Sequence, residues 1–241
     1  MAPMREGSTI SVNFALPMPL FPLDTVALMP QQRLGMHIFE PRYRQMIDHA
    51  LQGEHQFATA TFEGSRWQQE YHGRPPILPA VCVGQIVRHD KLDGGRYNLL
   101  LQGVCRARIV SESPAGEGRL YRQAMLEPIG FGMDDADDDE RITSLRAHVQ
   151  ASLASGPLQR LRESAEMLQV TKNPQVPGTA IVELLSAAIV NDFPTKYQLL
   201  AEGDAAARAQ IVEAQVSKLE GLILRAQRNL PGEAPKGCWW N

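Results

Sequence analysis

The sequence predicts an α+β fold, with strands in the first half of the chain and helices in the second. Three observations lead there. Short β-branched or alternating segments recur as far as Pro128, and beyond it the apolar period changes from two residues to 3.6. The one clear helical pattern of the first half follows a strand directly, through a Glu-Pro step in LGMHIFEPRYRQMIDHAL, Leu34 to Leu51.

In that stretch Leu34, Met36 and Ile38 alternate as a strand does. Pro41 suits the first helical position, where its missing N–H would be unpaired anyway. Tyr43, Met46, Ile47, Ala50 and Leu51 then form one apolar stripe, and the helix is expected to lie on a sheet. QFATATF, AVCVGQIV and RYNLLLQGVCRARIV read as further strands. Asp93 to Gly95 supplies residues that tolerate positive φ and predicts a tight hairpin between the last two. Gly84 and Gly103 interrupt strand patterns, which predicts a bulge or a close backbone crossing at each.

Past Pro128, stripes at Ile142, Leu145, Val149 and Leu153, at Leu158, Leu161, Ala165 and Leu168, and at Ile181, Leu184, Leu185, Ala188 and Ile189 predict three helices. Thr179, Thr195 and Asp204 are the expected capping side chains of helix starts. A last helix is expected over 205–228.

With 241 residues, 44% of them hydrophobic, the chain can build a sizeable core. A formal charge of -3 gives no general attraction to polyanions, so nucleic acid or an anionic membrane would need a local basic patch. Cys82, Cys105 and Cys238 share no metal-ligand spacing and read as reduced thiols of a cytoplasmic protein. The first residues lack the apolar core of a signal peptide, and no run approaches the ~20 apolar residues of a membrane helix. A soluble, unexported protein is expected.

The segment PLFPLDTVALMPQQRLGMHIFEPRYRQMI (Pro19 to Ile47) resembles the opening of the amino-terminal, substrate-binding domain of Lon-type ATP-dependent proteases. VGQIV, DGGRYNLLLQGVCRARIV and YRQAMLEPI follow in the family's order, and KYQLLAEGDAAARAQIVEAQVSKL resembles its helical end. The resemblance spans roughly residues 16 to 225. It implies a PUA-like β pseudo-barrel over 8–130, a helical subdomain over 134–230 and a tail over 231–241. It departs from a complete Lon protease in having no ATPase or Ser-Lys peptidase module. None of Lys91, Lys172, Lys196, Lys218 and Lys236 follows a glycine, so no phosphate-cradling P-loop is present.

Other chemistry is thinly signalled. Gly-x-Ser-x-Gly and His-Glu-x-x-His are both absent. A Cys-His pair, Cys82 or Cys105 with His89 or His37, is the remaining nucleophile candidate and keeps a hydrolase as one alternative. The acidic run Asp134 to Glu140 lacks the ligand spacing of a calcium loop and reads as a solvated helix-starting linker; neither metal nor cofactor is expected. Arg88, Arg96, Arg106 and Arg108 are the residues of a second alternative, RNA binding by a PUA-like fold.

The leading expectation is a noncatalytic polypeptide-recognition or adaptor module, as the resemblance implies, with unfolded or apolar segments and a separate protease as its expected partners. Phe21, Met29, Met36, Phe39 and Phe62 are its candidate lining, because Met and Phe adapt to varied partners. Glu40, Pro41, Arg42 and Tyr43 read as a structural anchor between strand and helix. Trp239 and Trp240 in the tail suggest docking or self-association.

Overall fold

β1 (Met18–Leu23) and β3 (Gln56–Thr61) run parallel, an arrangement a tight hairpin cannot join. The chain between them holds β2 (Arg33–Ile38) and α1 (Pro41–Ala50), which make the crossover. The computed structural model describes residues 10–229 except 72, 117 and 131–138, and the Trp239-Trp240 tail lies outside them. Within these residues the chain forms two compact units: 10–130 with 191–203, and 139–190 with 204–229.

In the first unit the six-stranded sheet follows the order β2-β5-β4-β3-β1-β6. β4 (Ala80–Lys91) and β5 (Tyr97–Ser113) are joined through Asp93–Gly95, where Gly94 and Gly95 take the expected positive φ of 73° and 72°. β6 (Gln123–Pro128) pairs with β1 on one side and with residues 107–113 of β5 on the other. β1, β3, β4, β5 and β6 therefore close into a barrel, and β2 stands outside the ring, paired among the described residues only to residues 97–102 of β5. The barrel interior takes small side chains, Ala58, Ala60, Ala107 and Ala124, around Leu20, Val81 and Val83. The bulges fall at Val83/Gly84 and Ile86/Arg88, where β4 leaves the barrel to form an arm with β5 and β2.

All six residues of β3 are buried, because both of its faces are covered. Ala58 and Ala60 point into the barrel, whereas Phe57 packs against Phe21, with ring centroids 5.9 Å apart. Phe21 in turn meets Tyr43 of α1 at 4.3 Å, so α1 lies on the sheet as its stripe requires. The short α2 (Trp67–Glu70) follows β3. α6 (Phe193–Ala201) returns to this unit, outside the 8–130 span read from the sequence. The Tyr197 hydroxyl accepts from Ala80 N–H at 2.9 Å, and Arg106 Nε donates to Leu199 O at 2.9 Å. An Asp192 cap holds the α6 start, accepting from Thr195 N–H at 3.0 Å, so Asp192 takes the role expected of Thr195.

The second unit contains α3 (Glu140–Ser155), α4 (Ser164–Lys172), α5 (Gly178–Ile189) and α7 (Ala205–Asn229). Ile142, Leu145, Val149 and Leu153 of α3, Ile181 and Leu185 of α5, and Val212 and Val216 of α7 make its core. The stripe expected from Leu158 to Leu168 is broken: Pro157–Arg160 is a 3₁₀ turn and Leu161 is extended, so α4 starts only at Ser164. Thr179 lies inside α5, which begins at Gly178 behind Pro177. Asp204 accepts from Ala206 N–H at 2.9 Å and caps α7 as expected.

Candidate functional site

The free edge of β2 is the feature of the first unit with the clearest capacity to engage another chain. Its start is set by a bulge: Gln31, at φ 66°, donates its N–H to Gly103 O at 2.9 Å, and Gly103 N–H donates to Gln32 O at 2.8 Å. Counting from that bond, an antiparallel ladder turns the amides and carbonyls of Leu34, Met36 and Ile38 toward β5. Those of Arg33, Gly35 and His37 turn away, toward an edge that pairs with no other strand among the described residues. Gly35 is exposed, and a Cβ placed on it would meet nothing within 4 Å.

Side chains alternate with the pleat. Leu34, Met36 and Ile38 lie opposite Leu101, Leu99 and Tyr97, while His37 hydrogen-bonds Asn98 at 2.7 Å on the other face. Phe39 follows the strand, stacked on His37 with centroids 6.1 Å apart, and is 60% exposed. A groove of about 220 Å³ runs over the same arm between Arg88, Asp90, Asn98 and Leu100. Backbone donors and acceptors, an exposed aromatic ring and a shallow groove thus lie on one three-stranded arm.

The structure divides the expected apolar lining. Met29 is wholly buried, and Phe21 and Phe62 are buried as well, so these residues are core and cannot line an open cleft. The physical reason is local: Phe21 is clamped between Tyr43 and Phe57, Phe62 is stacked on Trp67 at 5.1 Å, and Met29 sits in the loop crossing Gly103. Only Met36, half-buried, and Phe39 remain within reach of a partner.

The Glu40 to Tyr43 motif anchors a second segment. Glu40 precedes α1 and accepts from Arg42 Nε at 3.1 Å and from the Tyr71 hydroxyl. The Arg42 guanidinium lies between the rings of Tyr43 and Tyr71, 4.6 and 4.5 Å from their centroids, and donates to Tyr71 O at 3.2 Å. Burial pushes the Tyr43 phenol up, and burial together with the bond to Glu40 raises Tyr71. Sequence reading missed Tyr71, 31 residues from Glu40; an aromatic next to a short helix was its only local signal.

The arginines expected to form a basic face are separately engaged. Arg106 is only 6% exposed and is held by α6, which removes it from any phosphate-binding surface. Arg88 pairs with Asp90 at 3.6 Å, Arg96 donates to Asp93 O, and Arg108 lies 3.4 Å from Glu127. The candidate nucleophiles are unfavourable too: Cys82 is fully buried, and burial pushes the Cys105 thiol up to about 11, opposite to an activated thiolate. Among the described residues no cluster of His, Cys, Asp or Glu suits a metal ion, and no helix is long and apolar enough to cross a membrane.

Known proteins supply the remaining context. Among solved structures, the N-terminal domain of Mycobacterium avium complex Lon protease superposes with a TM-score of 0.60 at 19% identity, covering 84% of this chain and 98% of that one. The Lon N-terminal domain protein from Xanthomonas campestris gives 0.58 at 17% identity, covering 83% and 98%. At such identities the likeness shows a shared fold. No curated protein sequence matches. The sequence profile of the ATP-dependent protease La (LON) substrate-binding domain matches residues 17–218, through both units. From β1 into α7, then, this chain belongs to the LON substrate-binding domain family.

Proposed function

We propose that the chain is a noncatalytic polypeptide-recognition module that captures extended, partly apolar segments by strand addition at β2. The observation that carries this reading is the outward backbone of Arg33, Gly35 and His37 beside the exposed Phe39 ring. An unpaired edge supplies main-chain hydrogen bonds without regard to sequence, and neighbouring side chains add preference. The family's description as a substrate-binding domain supports the same reading. The module acts as an adaptor, passing bound segments to a protease made separately. Its proposed setting is the cytoplasm, where Cys82 and Cys105 stay as free thiols.

The test is fluorescence anisotropy with a denatured model polypeptide and with single-stranded RNA, each across a salt series. The reading predicts saturable polypeptide binding that survives added salt. RNA binding that collapses steeply with salt, without polypeptide binding, would contradict it.

A further inference from the structure

Three arginines from separate segments of the first unit line one cavity of about 320 Å³: Arg42 of α1, Arg74 beyond α2 and Arg122 just before β6. The cavity is not uniformly polar. Tyr43 and Tyr121 on its wall are buried, and Leu120 beside them is 51% exposed.

Among the described residues, the carboxylates against these arginines are fewer than the arginines. Glu112 Oε2 accepts from Arg122 Nε at 2.9 Å and Nη2 at 2.5 Å, while Arg122 Nη1 donates to Pro75 O at 2.8 Å. Arg74 Nη2 reaches the same Glu112 oxygen only at 3.5 Å, and its side chain is 51% exposed. Arg42 is matched by Glu40, yet its buried Nη2, 3.0 Å from Glu40 Oε2, has no hydrogen-bond acceptor of proper direction among the described residues. Among the described residues, the three guanidiniums of the cavity face two carboxylates, Glu40 and Glu112, one positive charge more than the negative, and Arg74 is the member held most loosely.

We propose that this cavity binds the free carboxylate at the C-terminal end of a polypeptide, with the last residue's apolar side chain against Leu120 and Tyr121. A carboxylate brings one negative charge, matching the excess, and its two oxygens suit the planar donor fork of a guanidinium. A phosphate monoester, nearer to two charges, would overbalance the cavity beside Glu40 and Glu112, and it would leave the apolar wall unused. This inference rests on the reading of the chain as a polypeptide receptor but uses a site distinct from the β2 edge.

The test titrates N-acetyl-leucine, N-acetyl-leucinamide and inorganic phosphate into the whole chain and its Arg74→Gln variant, followed by ¹H-¹⁵N NMR. Arg74 is exposed, and the variant's spectrum reports directly whether the fold is kept. The acid should bind about tenfold more tightly than the amide, and Arg74→Gln should remove most of that difference. Equal affinity for acid and amide, no binding of the acid, or a preference for the acid that Arg74→Gln leaves intact would overturn the proposal. Phosphate binding more tightly than the acid would overturn the carboxylate assignment. Because the probes are too short to form a strand, failure here and failure of strand addition at β2 are separate results.

Discussion

Gly103 of β5 passes directly beneath the backbone carbonyl of Met29. A Cβ at this position would meet the Met29 oxygen well inside van der Waals distance, with Cys82 Sγ 3.2 Å away on another side. The crossing lies at the bulge where Gln31 and Gln32 bond to Gly103, so it fixes how the loop after β1 delivers β2 to the sheet. Gly103→Ala is expected to destabilise the first unit by about 2 kcal/mol or more, because the opposing atoms are backbone. Urea unfolding checks it, and a change below about 0.5 kcal/mol would show that the crossing is looser than described.

The bond from Tyr71 to Glu40 ties the segment after β3 to the start of α1. Tyr71→Phe keeps a ring over Arg42 and removes only the hydroxyl, so a loss of about 1 kcal/mol is expected. Hydrogen exchange should speed up mainly between residues 63 and 79. Glu40→Ala should cost more, since Arg42 then keeps its half-buried charge without a carboxylate.

In the second unit, His148 presents Nδ1 to Glu213 at 2.6 Å and Nε2 to Glu220 at 3.2 Å, and Glu220 also accepts from Ser152. Burial alone would lower its pKa, but the bond to Glu213 and the charges of Glu213 and Glu220 outweigh this and raise it. The folded value therefore lies above the unfolded one. The stabilisation is full below the ordinary histidine pKa and is lost as pH rises through the raised value. Denaturant midpoints measured from pH 6 to pH 9 should fall for the wild type in this window, and His148→Gln should flatten the trend.

Phe39 and Met29 separate binding from packing. Phe39→Ala should leave stability within about 0.5 kcal/mol of wild type while weakening polypeptide binding several-fold. Met29→Ala should cost about 2–5 kcal/mol, as for a fully buried side chain. The reverse pattern would place the recognition surface elsewhere.

Much of the fold was legible because it is local. The period of two before Pro128 and of 3.6 after it, Pro41 at the first turn of α1, and the glycines of the β4–β5 hairpin each need only a few neighbouring residues. What was not legible depends on pairing over distance. The six buried residues of β3 look like an alternating strand until Ala58 and Ala60 are placed in the barrel and Phe57 against Phe21 on the other face. The return of α6 to the barrel has no signal in its own periodicity, and it is this helix that buries Arg106. For the candidate site, Met36 and Phe39 could be picked by residue type, but so could Met29, which lies in the core. Nothing in RLGMHI says that β2 lies at an edge; that follows only from which strands close the barrel.

The most direct measurement compares polypeptide binding by the wild type and by Gly35→Pro, using fluorescence anisotropy with a thermal melt on each protein. Gly35 is exposed and its N–H faces away from β5, so proline removes an edge donor without breaking the ladder. Binding about tenfold weaker with an unchanged melt is the result expected of strand addition at β2. Unchanged affinity in a folded Gly35→Pro protein would contradict recognition at this edge.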